Sequence, residues 1–108
     1  MNQNKKISVI MSVYNNENSI QESVKSIMNQ TYSNFELLII DDCSKDDSYK
    51  ICEQIANLDS RIKLFKNNTN IGLTKSLNKL IEISTGDYIA RQDGDDVSSN
   101  SRFAIQLT

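Results

Sequence analysis

A chain of 108 residues with 38% apolar residues has room for one domain and enough apolar matter to bury its core. Twelve Lys and Arg against 14 Asp and Glu leave a net charge of -2, which disfavours a broad nucleic-acid-binding face. The chain has no His, so imidazole bases, His metal ligands and Ser-His-Asp triads are excluded, and carboxylates, hydroxyls and amides must carry any chemistry.

Lys5 and Lys6 before the apolar run Ile7 to Met11 briefly imitate a secretory leader. The run is too short, and it meets Tyr14-Asn15-Asn16-Glu17 with no small-residue cleavage site. Ile7 to Val13 reads instead as a first strand, apolar on both faces as in a buried parallel strand. Glu17 to Gln30 has helical period, with Ile20, Val24, Ile27 and Met28 on one face. Phe35 to Ile40, the most apolar run, is the second strand, and Asp46 to Leu58 is the second helix, with Ile51, Ile55 and Leu58 inward. Ile62 to Phe65 is a short third strand. A polar loop, Lys66 to Asn70, leads to a third helix from Leu73 to Ser84, whose stripe is Leu73, Leu77, Leu80 and Ile81. Gly86 is expected as its left-handed stop. Asp87 to Arg91 is the fourth strand, and Ser98 to Thr108 begins a further helix.

Strands alternating with helices predict an α/β fold, a mostly parallel sheet flanked by helices in the order β-α-β-α-β-α-β with right-handed crossovers. No repeat, low-complexity tract or linker divides the chain, so residues 1–108 read as a single domain. No stretch approaches the roughly 18 apolar residues that span a bilayer, and Cys43 and Cys52 form no CxxC pair. The expectation is a cytoplasmic protein with both thiols reduced, Cys52 filling the core beside the second helix's stripe.

Eight of the 14 acids fall in two short windows, Asp41, Asp42, Asp46 and Asp47, then Asp87, Asp93, Asp95 and Asp96. In open parallel sheets ligands bind beyond the carboxyl ends of the strands. Those ends carry Ser12 to Asn15, Asp41-Asp42, Asn67 to Asn70 and Asp93 to Asp96. Carboxylates at i and i+2 around Gly94 can reach one ligand, and oxygen-only donors suit Mg²⁺ or Mn²⁺ with substrate phosphates completing the shell. The competing reading is an acidic turn that caps the next helix. An EF-hand counted from Asp93 fails, since Ser98 and Ala104 stand where Gly and Glu are needed. Asp42 can accept from a ribose hydroxyl or a base N–H, and the caps downstream at Ser44, Asp46 and Asp47 leave it freer for a ligand. Neither GxGxxG nor GxxxxGK[ST] occurs, so diphosphate charge would fall to metal, helix N-termini and Lys75, for which a solvated helix lysine is the plainer reading.

These residues together resemble the N-terminal, nucleotide-sugar-binding half of the family 2 glycosyltransferases, which have the GT-A fold. The likeness runs from Ile7 to about Arg102 and rests on Ile7 to Asn15, Ser23 to Tyr32, Phe35 to Asp46, Asn70 to Leu73, Gly86 to Ala90, and the DxD-like Asp93-Gly94-Asp95-Asp96. It implies a nucleotide site bordered by Ser12, Val13, Tyr14 and Asn15, with Asp42 on the base, usually uracil, and Lys75 and Gly94 nearby. Asp93 would contact ribose or base, Asp95 with Asp93 would hold Mn²⁺ or Mg²⁺, and Asp96 would support the turn. It further implies inverting transfer from a nucleotide-sugar donor to a glycan or lipid-linked acceptor. Peripheral association of the longer protein with the cytoplasmic membrane fits the resemblance, and homo-oligomers are left open. Ser12 stands where the family usually has Pro, and Ser99 to Arg102 lacks the Pro that commonly follows DxD. The family's base lies well beyond DxD, so none is assigned here, and this chain is expected to bind donor without turnover. Two alternatives are a receiver-like regulatory module, with an acidic cluster and Mg²⁺ but no place for the closing acidic run, and a degenerate nucleotide-binding half.

Overall fold

The computed structural model describes residues 5–95. Four strands and three helices alternate along them: β1 (Ile7–Val13), α1 (Ile20–Met28), β2 (Phe35–Asp41), α2 (Ser48–Ala56), β3 (Ile62–Lys66), α3 (Leu73–Ile83) and β4 (Tyr88–Arg91). The sheet is parallel throughout and ordered β3-β2-β1-β4. The predicted α/β class and element order are therefore borne out. The expected helix over Ser98 to Thr108 and the support role of Asp96 lie outside the described residues.

Burial explains the patterns of the strands. β1 and β2 are central, and their apolar side chains are buried on both faces, which is why these runs show no alternation. β3 and β4 are edge strands and are largely exposed. On one face Val9, Met11, Val13, Leu37 and Ile39 pack with Ile20, Val24 and Ile27 of α1 and Cys52 of α2. On the other, Ile10, Leu38 and Ile40 pack beneath Leu77 and Leu80 of α3. Each of the fully buried aliphatic side chains contributes about 2 kcal/mol.

Three inward assignments are corrected. Leu58 lies past the end of α2 and is 86% exposed, and the residues that α2 buries fully are Ser48 and Cys52. Leu73 and Ile81 are exposed at the margins of α3, which seats only Leu77 and Leu80 deeply, together with Ser76. Two of these buried small side chains are used in hydrogen bonds, Ser48 Oγ accepting from the Asn16 N–H and Ser76 Oγ from Asn67 Nδ2. Burial, with the nearby charge of Asp41, pushes the Cys52 thiol up to about 12, so it is an inert core group as expected.

Gly86 is not a left-handed stop. The described glycine with positive φ is Gly72, which caps the start of α3. Gly86 serves close approach instead: a Cβ there would lie 2.6 Å from the Ser8 backbone nitrogen, while its own N–H donates to Ser8 Oγ at 2.8 Å. α3 ends because Ser84 turns extended and its hydroxyl donates to the Ile81 carbonyl.

The strand order also removes the receiver-like reading. In a receiver sheet the third strand lies beside the first. Here β3 lies beyond β2, and β4 occupies that place beside β1. Successive strands are therefore added to one side of β1 as far as β3 and then, with β4, to its other side. At such a switch of strand order parallel α/β sheets open a crevice at their carboxyl edge.

Candidate donor-binding cleft

A cleft of about 440 Å³ opens at that switch. Ser12 and Tyr14 from the end of β1 form its floor, Arg91, Asp93, Gly94 and Asp95 from the end of β4 form one wall, and Asp42, Asn70, Gly72 and Leu73 form the other. Of the residues singled out from sequence, Ser12, Tyr14, Asp42, Asp93, Gly94 and Asp95 are brought together here. Val13, Asn15 and Lys75 do not line it. Val13 is wholly buried in the core, and Lys75 is exposed on α3. Asn15 adopts a left-handed φ of 52° and ties the loop to the next one, its N–H donating to Ser44 Oγ and its Oδ1 accepting from the Lys45 N–H.

Asp42 is less free than the sequence suggested. Its carboxylate is buried, Oδ1 accepts from the Ile71 N–H at 2.8 Å and Asn67 Nδ2 at 3.0 Å, and Oδ2 accepts from the Gly72 N–H at 2.9 Å. The downstream caps were no reason to think it idle, because the loop before α3 has backbone donors of its own to satisfy. Burial alone would raise this carboxyl, but those N–H groups, with Asn67 and Ser76, outweigh it and hold Asp42 below the usual carboxylate range. Asp42 therefore meets the cleft as a carboxylate already held by the loop before α3 and by Ser76. Asn67 is itself held by Lys79 Nζ, at 3.1 Å from its Oδ1.

The opposite wall is a tight turn. Arg91 Nε donates to Asp93 Oδ1 at 3.0 Å, and Asp95 is exposed at the rim. A Cβ on Gly94 would sit 2.6 Å from Asn16 Oδ1, and that oxygen accepts from the Tyr14 N–H, so the turn and the β1–α1 loop brace each other. The second loop is locked to the first by further pairs. Asn16 N–H donates to Ser48 Oγ, Glu17 N–H to Asp46 Oδ2, and Asp47 N–H to Glu17 Oε2. Asp46 also accepts from the Ser48 N–H and so caps α2 as expected, although Asp47 is the formal cap.

Asn70, expected at the rim among the strand-end residues, lines the cleft, and Asn16, Gly72, Leu73 and Arg91 join it without a role expected from sequence. Gly72 had a usable signal, a lone glycine at the start of a helical stripe near a polar loop. Arg91 read as the last residue of a strand, and its pairing with Asp93 at i+2 was the available clue.

A cation at this turn can be judged from the donor set. Among the described residues no group of three or more His, Cys, Asp or Glu could hold a metal by themselves. Asp93 and Asp95 are two oxygen donors on one wall of an open cleft. This suits Mg²⁺ or Mn²⁺ completed by substrate phosphates, and does not suit an all-protein cage.

Comparison with known proteins gives this arrangement its relatives. Residues 8–107 match the family described as Glycosyl transferase family 2. The chain belongs to that family. EpsE of Bacillus subtilis (strain 168), named as a glycosyltransferase, is 48% identical over 108 residues, covering 99% of this chain and 39% of its own length. An Escherichia coli protein, UDP-Glc:alpha-D-GlcNAc-diphosphoundecaprenol beta-1,3-glucosyltransferase WfaP, is 38% identical over 101 residues, covering 94% of this chain and 39% of its own. The crystal structure of S. aureus TarS 1–349 in complex with UDP-GlcNAc matches with a TM-score of 0.88 at 30% identity, over 94% of this chain and 30% of that one. The family 2 chain described here thus spans about two fifths of the length of the curated relatives. Its fold is the one expected for the nucleotide-sugar-binding half of these enzymes.

Proposed function

We propose that this chain is the donor-binding part of a glycosyltransferase that holds a nucleoside-diphosphate sugar, a UDP sugar in particular, in the cleft between β1 and β4. The observation that carries the reading is the convergence on one cleft of the Asp93-Gly94-Asp95 turn, Tyr14 and Asp42. Family membership and the UDP-GlcNAc complex of TarS support it. Tyr14, 41% exposed, offers a ring face to the base, and the Asp42 carboxylate on the cleft wall accepts a base N–H. Asp93, oriented by Arg91, accepts from the ribose, and Asp95 with Asp93 holds the divalent cation. That cation, when bound, neutralises charge on the departing diphosphate. All three cleft carboxylates are then committed to the donor, so none of them is assigned as the base of an inverting transfer to a glycan or lipid-linked acceptor.

Calorimetric titration with UDP and Mn²⁺ tests the assignment. The wild-type chain binds UDP more tightly with Mn²⁺ than in EDTA, and Asp95→Asn loses about tenfold or more of that gain. Equal binding by wild type and Asp95→Asn in Mn²⁺ overturns the metal assignment.

A further inference from the structure

Helix α1 offers more than an apolar face. Ser19, just before its first residue, and Ser23 and Ser26 within it recur at i, i+4 and i+7 on one side. That side meets the chain leaving β4. Gln92, only 1% exposed, continues the ladder beyond β4 with its N–H donating to the Ile10 carbonyl. Its Nε2 donates to Ser23 Oγ at 3.1 Å and Ser26 Oγ at 3.3 Å. Each hydroxyl carries one proton, and both are accounted for. Ser26 donates to the Ser23 carbonyl at 2.7 Å, and Ser23 donates to the Asp93 carbonyl at 2.9 Å. Ser19 Oγ donates to the next carbonyl, that of Gly94, at 3.0 Å.

Two successive carbonyls of the acidic turn are thus held against α1, while the side chains of Asp93 and Asp95 line the cleft on the other side. We infer that Ser19, Ser23 and Gln92 are positioning residues of the donor site, fixing the peptide planes of the Asp93-Gly94-Asp95 turn so that its carboxylates stand ready for a cation and diphosphate. The inference rests on the reading of the cleft given above. It also accounts for a fully buried serine in the middle of α1, where an apolar residue would add more burial. Groups that orient metal-binding carboxylates typically change metal affinity by about 10- to 100-fold when removed.

The test pairs two measurements on the 108-residue chain. In calorimetry, Ser23→Ala loses about tenfold of the UDP affinity gained with Mn²⁺, keeps its affinity in EDTA within about twofold, and Ser23→Thr, which retains the hydroxyl, recovers most of the gain. In NMR relaxation, the Gly94 and Asp95 amide order parameters fall in Ser23→Ala from the rigid range toward about 0.6. Should Ser23→Ala fail to fold, the half-buried Ser19→Ala carries the same expectation through Gly94. An equal loss in Mn²⁺ and EDTA, or unchanged order parameters and affinities, overturns the inference. A wild-type chain with no Mn²⁺ gain refutes the reading of the cleft itself, and the order parameters then still decide whether the serines hold the turn.

Discussion

Asp42→Ala is expected to lower the unfolding free energy by about 4 kcal/mol and to weaken UDP binding with it. Three donors lose a charged acceptor at once: the Ile71 and Gly72 amides and the Asn67 side chain, which is buried between Asp42 and Ser76. A hydrogen bond to a charged group contributes about 1.5–3 kcal/mol, and the sum is less than threefold because the exposed end of the loop recovers some water contacts. The loss reaches the ligand through geometry, since Asn70, Gly72 and Leu73 are the wall that Asp42 fixes. Asp42→Asn keeps an acceptor without the charge, and costs about half as much. Urea unfolding measures both, as a fall in midpoint at constant slope. A change within about 1 kcal/mol for Asp42→Ala would show that the loop stands without it.

Glu36→Gln tests the opposite end of the sheet. Glu36 is 3% exposed on β2, where Ser8 Oγ donates to it at 2.6 Å, the Thr85 N–H at 2.9 Å and Thr85 Oγ1 at 3.1 Å, with Lys6 and Lys63 alongside. Burial pushes this carboxyl up, but the hydrogen bonds from Ser8 and Thr85 and the charge of Lys6 prevail and bring it from 4.5 down to about 2. A carboxyl depressed in the folded state stabilises the fold fully above its unfolded pKa, and that contribution disappears as pH falls through the folded value. The difference corresponds to about 3 kcal/mol at neutral pH and about 1 kcal/mol near pH 3. Glu36→Gln is therefore less stable than wild type by about 3 kcal/mol at pH 7, with the gap closing below pH 4.5 as pH approaches 2. A gap that stays constant across that window would show that the carboxylate charge contributes nothing. The cluster matters to the site indirectly, because Thr85 and Gly86 set where β4 enters the sheet.

Much of this was legible in the residues. β1 and β2 each carry five apolar residues in seven because both of their faces are covered, and their shortness between polar loops marks them as strands. The helices were harder to orient. The stripe of α2 is short: Cys52 enters the core with Ile51 and Ile55 packed against it, while Ser48 is buried against the β1–α1 loop and Leu58 lies outside. Small residues carry little hydropathy signal. For the site, strand ends and acid clusters located Ser12, Tyr14, Asp42 and the turn at Asp93, because a parallel sheet gathers its carboxyl ends in one place. Asn16 and Asn70 are tied in by hydrogen bonds to residues about 30 positions away, and the hydroxyls of Ser19 and Ser23 reach the acidic turn from farther still, which no local pattern announces. The same holds for Asp42, whose partners lie 25 to 30 residues away in the chain.

The central claim is that a UDP sugar occupies the cleft between β1 and β4. Titration of the isotope-labelled chain with UDP and Mg²⁺, followed by amide NMR, tests it most directly. Saturable shifts at Tyr14, Asn16, Gly72, Asp93 and Asp95, with none at Phe65 or Lys79 beside the separate groove between β3 and α3, are the result expected. Shifts confined to that groove, or none that saturate, would contradict it.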